Sequence, residues 1–356
     1  MAVLKGRVLA KLASVMARQH TTVRCWTLIG VACVGLVSIG AQGPQRGSST
    51  SRPYTVPRNA LGQPDLEGVW TNNSITPLQR PAGWAGRTFL SDAEVAQLQK
   101  AASKLEEGGD ALFGDELVLD TLEGKQQSTS HDTETGNYNG FWLPSRDIDN
   151  RTSLIIDTAD GRIPPETAAA QARRAAAAEQ RRLHPADGPE SRGLSERCLT
   201  FGVPRFQAAY SSVYQIVQSP SHVVFRMETI HEARIIPIDG RSHVSDAIRQ
   251  WMGDSRGHWE GDTLVVDTKG FSPKTAFMGV SSDLHLVERF TRLSANTLQY
   301  DATMSDPATW TRPWTARILF KRTDEPLLEY ACHEGNVGLF GILSGARKQE
   351  ADAARR

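Results

Sequence analysis

Proton-transfer chemistry needs an imidazole or a carboxylate held beside a substrate, and this chain gathers such groups between His222 and Arg347. His333-Glu334 follows Tyr330 and Cys332 and precedes Gly335-Asn336, so it reads as a loop start where a base meets its ligand. Histidine has the intrinsic pKa for that work near neutrality, which makes His333 the leading general-base candidate. His231-Glu232 is a second acid–base pair, and His285 with Glu288 a third. On a strand His285 and Glu288 face opposite ways, so they cooperate only through a bulge or a partner strand. Glu228, Glu232 and Arg234 fall on one face with Arg226 if residues 223–238 form one strand, and His231 falls on the other. Inside a barrel this row would hold a polar or anionic ligand; outside, it would be a solvated face. The expected division of labour is His333 or His231 moving the proton, Glu232 or Glu288 orienting it or acting as the acid, and Arg226 and Arg234 holding negative charge.

Tryptophans stand beside these groups. Arg249-Gln250-Trp251, the run Arg256 to Asp262 with Trp259, and Trp310-Thr311-Arg312-Pro313-Trp314 each set indole rings next to arginine. Such rings either stack on a ligand or close the end of a small barrel beneath the guanidiniums. Trp251, Trp259, Trp310 and Trp314 are therefore candidate ligand contacts, with structural capping as the alternative.

Other chemistries find less support. A zinc-protease helix would need histidine where Ile235 stands, and the local pattern is β. Three distant imidazoles, His231, His285 and His333, suit a catalytic zinc in kind, but their spacing favours structural roles, and neither a metal nor another cofactor is expected. A glycine-rich nucleotide loop after a strand, a Gly-x-Ser-x-Gly elbow and a Cys-x-x-Cys pair are all missing. Lys+Arg and Asp+Glu both number 40, a formal net charge of zero, which argues against nucleic acid as a partner.

The elements that must position these residues are mostly strands. Val213–Val217, Val223–Ile238, Thr263–Thr268, Leu286–Leu293, Thr297–Thr303 and Ala316–Phe320 are rich in β-branched or aromatic residues, with turns at Ile238–Arg241, Trp259–Asp262 and Ser294–Asn296. Thr152–Asp157 reads as a further strand. Ser91 and Glu94 signal a capping box for a helix to about Leu105, and a second, alanine-rich helix runs from Gly161–Pro165 to Arg182. Strands at such spacing predict a mainly β fold, an antiparallel barrel-like or strongly curved sheet with two peripheral helical segments. Gly68-Val69-Trp70 is expected in the same assembly, because neither end of the domain can bury its apolar face alone.

Arg24 precedes the apolar run Trp26–Val37, and small residues follow at Ser38, Gly40 and Ala41. This is a secretory signal pattern, with Met16 as an alternative start and a signal anchor as the alternative fate. The expected organisation is a signal peptide over 1–41, a flexible linker over 42–62, a single β-rich domain over 63–347 and a disordered tail over 348–356. The location is periplasmic or secreted, with no stable transmembrane segment after cleavage. Cys25 and Cys33 leave with the signal, so Cys198 and Cys332 remain. They form one disulfide, two buried thiols, or a Cys332/His333 ligand pair.

The strings PDLEGVW, RTSLIIDTADGRIP, ERCLTFGVPR, HEARIIPIDGR, IRQWMGDSRGHWEGDTLVVDTKGF, HLVERFTR, TWTRPWTA and EYACHEGN resemble a family of uncharacterised exported bacterial proteins over about residues 64 to 347. That resemblance implies no activity. The Gly68-Val69-Trp70 start is also similar to that of lipocalin-like barrels, from which the helical insertions depart. The expected function is an exported small-molecule-binding protein able to run acid–base chemistry as an isomerase, lyase or hydrolase on a small organic molecule. A non-catalytic ligand-binding protein and an envelope structural protein remain the alternatives.

Overall fold

A computed structural model describes residues 54–108, 122, 146–206, 212–275 and 277–355. All the elements below belong to the unit Pro53–Arg356. The strands are β1 (Gly68–Thr71), β2 (Val213–Gln218), β3 (His222–Met227), β4 (Ala233–Pro237), β5 (Asp254–Glu260), β6 (Thr263–Lys269), β7 (His285–Ser294), β8 (Thr297–Ser305) and β9 (Trp314–Arg322). They form one nine-stranded sheet in the order β4-β3-β2-β1-β9-β8-β7-β6-β5, every neighbouring pair antiparallel.

Strict alternation decides the faces of the longest strands. Leu286, Glu288, Phe290 and Arg292 of β7, Leu298, Tyr300, Ala302 and Met304 of β8, and Trp314, Ala316, Ile318 and Phe320 of β9 all point inward and are buried. Between them, outward residues pair across the strands: Arg317 donates to Asp301 at 2.7 Å, directly opposite in register, and the Thr303 and Thr315 hydroxyls meet at 2.9 Å. Such a sheet has one wet and one dry face, so it curls around the dry one.

The curl brings the two ends of the sheet together. No backbone ladder joins β4 to β5 among the described pairings; side chains close the seam instead. The buried Arg234 of β4 donates through Nε to Ser255 Oγ of β5 at 3.0 Å. Gly257 of β5 comes so near that an added Cβ would lie 2.8 Å from Ile238 Cγ2 and 3.0 Å from Ile236 Cγ2. The result is a nearly closed barrel, which fits the lipocalin-like expectation in architecture.

β1 sits between β2 and β9, so Gly68-Val69-Trp70 joins the same assembly. Trp70 is fully buried, donates from its indole to Leu66 O at 3.0 Å, and carries the guanidiniums of Arg292 and Arg322 at 5.7 Å from its ring. β1 covers only the last turn of pairing along β9. Beyond it, Thr152–Asp157 supplies an isolated bridge, Ile155 to Ala316, rather than the strand expected there.

The first helix, α1 (Asp92–Gly108), begins at the expected box. Ser91 N donates to Glu94 Oε2 at 2.8 Å, and Arg87 holds the same carboxylate. Trp84, Leu90, Leu98 and Ile148 form a small satellite core beneath it. α2 (Ala168–Leu183) starts later than expected, because Thr167 accepts from Ala170 N and caps it there, while Glu166 bridges to Trp310. α3 (Val337–Ala353) is a third helix that the sequence reading did not include; Asn336 caps it by accepting from Leu339 N, and it runs into the segment expected as a tail. No helix among the described residues is long and apolar enough to cross a membrane. The expected signal and most of the linker lie outside the described residues.

Candidate functional site at the barrel seam

Residues 223–238 are not one strand, and this changes the expected site. β3 and β4 form a hairpin whose connection, Thr229–His231, is a single 3-10 turn with Ile230 at φ 57° and His231 at φ 52°. The acid–arginine row is therefore broken. Arg226 lies exposed on the outer face, its closest side-chain partner Gln215 at 3.5 Å, whereas Arg234 is buried inside. Glu228 and His231 tie the turn to the chain beyond β9: Glu228 Oε1 accepts from Leu328 N at 3.1 Å, and His231 Nε2 accepts from Tyr330 N at 3.1 Å. Burial pushes the Glu228 carboxyl up.

Inside the barrel Arg234, Glu288 and Tyr300 satisfy one another. Arg234 meets Glu288 Oε2 at 2.5 Å and Thr268 Oγ1 at 2.7 Å, while the Tyr300 hydroxyl donates to Glu288 Oε1 at 2.8 Å. Burial opposes the Arg234 charge, but Glu288 outweighs it and holds the guanidinium protonated; burial and the Glu288 charge together push the Tyr300 phenol well up. Aromatic rings fill the remainder, with Phe290 stacked on Tyr300 at 4.7 Å between centroids and Phe225 against Phe290 at 4.7 Å. The space left beside Phe225, Glu288 and Tyr300 is about 30 Å³. That is room for a water or two, not for an organic ligand.

A larger cavity lies at the seam. It holds about 770 Å³ and is open to solvent, with walls from Glu232 and the start of β4 (Ala233–Ile235), the start of β5 (Asp254–Arg256), the returning connection Arg249–Gly253 and Leu199-Thr200. Its volume falls in the range of roughly 300–1,000 Å³ typical of small-molecule pockets. Gly253, at φ 70°, lets the connection turn into β5 where a Cβ would meet Thr268 Cγ2 at 2.8 Å. Glu232 Oε2 is buried in this wall without a hydrogen-bond partner. Burial pushes its carboxyl up, against the opposing pull of Thr200 and of the Arg205 charge. The half-buried Trp251 supplies an aromatic surface, and Arg249 and Arg256 bring positive charge.

A covalent staple holds the Leu199-Thr200 wall. Cys198 and Cys332 are disulfide-bonded with Cα atoms 5.7 Å apart, and Asn336 Nδ2 donates to Glu196 O at 2.8 Å alongside.

The other expected site residues lie elsewhere. His333 is exposed, on the chain leading to α3. His285, on the outer face of β7, bonds Asp267 at 2.5 Å, while Glu288 three residues on faces inward. Trp310 and Trp314 are core, packed edge to face at 5.4 Å, and Trp259 is partly buried against the same core. The structure thus brings Glu232, Arg234 and Trp251 to one cleft and leaves out Arg226, His231, His285, His333, Trp310 and Trp314. Among the described residues no group of three or more His, Cys, Asp or Glu side chains is arranged to hold a metal ion.

The sequence reading passed over a chain of polar contacts next to the cleft. His243 joins Asp254 through Nδ1 at 2.9 Å and Asp267 through Nε2 at 2.8 Å, and Asp254 also pairs with Arg256 at 3.0 Å. Its one signal was an acid, Asp267, directly after the apolar Leu264-Val265-Val266 run of β6.

No protein-family model and no curated protein matches the chain. Two solved structures overlap part of it. One is a secretory abundant heat soluble protein from Ramazzottius varieornatus, at 8% identity and TM-score 0.22, over 31% of this chain and 70% of that one. The other is a point mutant of the fluorescent protein UnaG, at 10% identity and TM-score 0.21, over 37% of this chain and 86% of that one. At these TM-scores neither overlap specifies a ligand for this chain.

Proposed function

We propose that this chain is an exported small-molecule-binding protein whose ligand occupies the seam cleft and not the barrel interior. The observation that carries this reading is the contrast in space, about 770 Å³ at the seam against about 30 Å³ inside. The ligand is a polar organic molecule that lies beside Glu232 and lays a flat or apolar portion on Trp251. Export is supported by the apolar run Trp26–Val37 and by the Cys198–Cys332 disulfide, which belongs in an oxidising compartment.

A second reading, acid catalysis, is favoured by one observation: the Glu232 carboxyl is pushed up by burial in the cleft wall, as a general acid requires. In that reading Glu232 protonates the bound molecule, and His333 has no part because it lies outside the cleft.

The test is a ligand-observed NMR screen of small polar and aromatic compounds against the wild-type chain, Trp251→Ala, Glu232→Gln and the outer-face control Arg226→Ala. Hits that bind wild type and Arg226→Ala but weaken roughly tenfold in the two cleft variants support the reading. Hits indifferent to both cleft substitutions would overturn it.

A further inference from the structure

The connection from β4 to β5, residues 238–253, runs as a strap from one side of the cleft to the other. Pro237 at its root and Arg249–Gly253 at its return both line the cavity. The return is anchored to the barrel by backbone bonds: Gln250 N donates to Gly270 O at 3.0 Å, and Ser272 N to Gln250 O at 2.8 Å. From Asp239 to Ile248 the strap is exposed except at His243 and Val244. There its holds on the sheet are His243 on Asp254 and Asp267, Val244 N on Asp254 Oδ2 at 3.1 Å, and Arg256 Nε on Ser242 O at 3.0 Å.

The His243 geometry has a protonation requirement. Both ring nitrogens face carboxylate oxygens, at 2.9 and 2.8 Å, and an ionised carboxylate only accepts. Each nitrogen must therefore carry a proton, which makes the bridging form the imidazolium. Neutral imidazole keeps one N–H and turns a lone pair toward the other carboxylate, replacing attraction with repulsion. The charged groups around it are Asp254 and Arg256 on β5, Asp267 on β6 and His285 on β7, the last bonded to Asp267 Oδ2 at 2.5 Å. Burial of Asp267 is outweighed by His285 and His243, so its carboxyl stays below the usual range and remains charged. His285 has one carboxylate partner and keeps that bond as neutral imidazole; His243, with two, does not.

We propose that His243 is a pH-sensitive pin: as imidazolium it fastens the strap across the barrel seam, and on losing its proton it frees residues 239–248 between the two cavity-lining ends of the strap. An effect on ligand binding rests on the cleft being the binding site, whereas the pin itself does not. Fastening needs two ionised carboxylates facing a doubly protonated ring, so it is favoured at mildly acidic over mildly basic pH.

Hydrogen exchange of the ligand-free full chain, corrected for the intrinsic pH dependence of exchange, reads the pin without any ligand. In wild type, protection across 239–248 falls roughly tenfold between about pH 5.5 and about pH 8.5, while peptides of β8 stay protected. His243→Gln, which has no positive charge, leaves the strap unprotected at both pH values. His243→Arg, permanently charged with several donors, keeps it protected at both. Equal strap protection at the two pH values in wild type would overturn the proposal, as would a His243→Gln strap protected like wild type. Should β8 also lose protection in His243→Gln, the wild-type and His243→Arg profiles decide. If exchange behaves as described but no screened compound responds to Trp251→Ala or Glu232→Gln, the pin stands and the binding reading falls.

Discussion

The barrel interior and the β4–β5 seam are enclosed by the same sheet, yet one is full and the other is open. In the interior, β7, β8 and β9 pair over their whole lengths, and alternate residues deliver rings and branched chains into one volume. Of the polar groups that enter there, Arg234, Glu288 and Tyr300 find each other, while the buried Trp314 Nε1 has no hydrogen-bond partner. At the seam β4 and β5 meet without a ladder, so wall residues come from a strand start, a connection and a stapled segment. Such irregular walls do not interdigitate, and they leave an open cleft of about 770 Å³. Continuous backbone pairing therefore drives toward a packed core, and an interruption in it leaves a cleft.

The interior should give the largest response to substitution. Glu288→Ala strands the Arg234 charge in a site with 6% exposure and removes a Tyr300 partner, so thermal or urea unfolding should record a loss of about 3–5 kcal/mol. Replacing both charges, as Arg234→Met with Glu288→Leu, should recover much of that loss. A double variant no better than Glu288→Ala would mean that the network matters for more than charge balance.

Next in size is the staple. Cys198 and Cys332 stand 134 residues apart, and replacing both with alanine should cost about 2–4 kcal/mol in denaturant unfolding. Hydrogen exchange should place the first loosening at residues 194–202, on the cleft wall, with β8 unaffected. Uniform loosening would detach the disulfide from the seam.

Gly257→Val presses on Ile236 and Ile238 across the seam and should cost about 1–3 kcal/mol while altering the cleft, whereas the exposed Arg226→Ala on the adjoining outer face should leave both unchanged. Far from either region, Ser91→Ala should remove about 1 kcal/mol through the α1 cap. Its partner Glu94, drawn down to about 2 by Arg87 and then Ser91, is depressed relative to the unfolded chain. Its contribution is thus complete above the ordinary glutamate range and is lost as pH falls from there toward about 2. An acid titration of α1 helicity that is the same in wild type and Glu94→Gln would contradict this.

Sequence alone carried the packed region well. β7, β8 and β9 alternate so regularly that their extents and the Ser294–Asn296 turn follow from residue type. The seam was hidden for definite physical reasons. The β3–β4 turn takes positive φ at Ile230 and His231, where glycine or asparagine would have announced it, so two strands read as one. β5 reads as a turn because Arg256, Gly257 and His258 lack strand preference, although their place beside β6 and β4 makes them a strand. Three glycines between Val337 and Gly345 mask the first half of α3, although its Asn336 cap and the strong helix formers Ala346 to Ala351 are local signs of it. Glu232, Arg234 and Trp251 stand out for their chemistry and line the cleft, whereas His231 and His285 serve other contacts and His333 is exposed. Pairwise convergence of distant residues is what composition does not encode.

The most direct test of the account is a crystal structure of the full chain with a compound from the binding screen. The account predicts that compound between Glu232 and Trp251 in the seam cleft, with the Arg234–Glu288–Tyr300 contacts intact. Density for it among Phe225, Phe290 and Tyr300 inside the barrel, with those rings displaced, would contradict it.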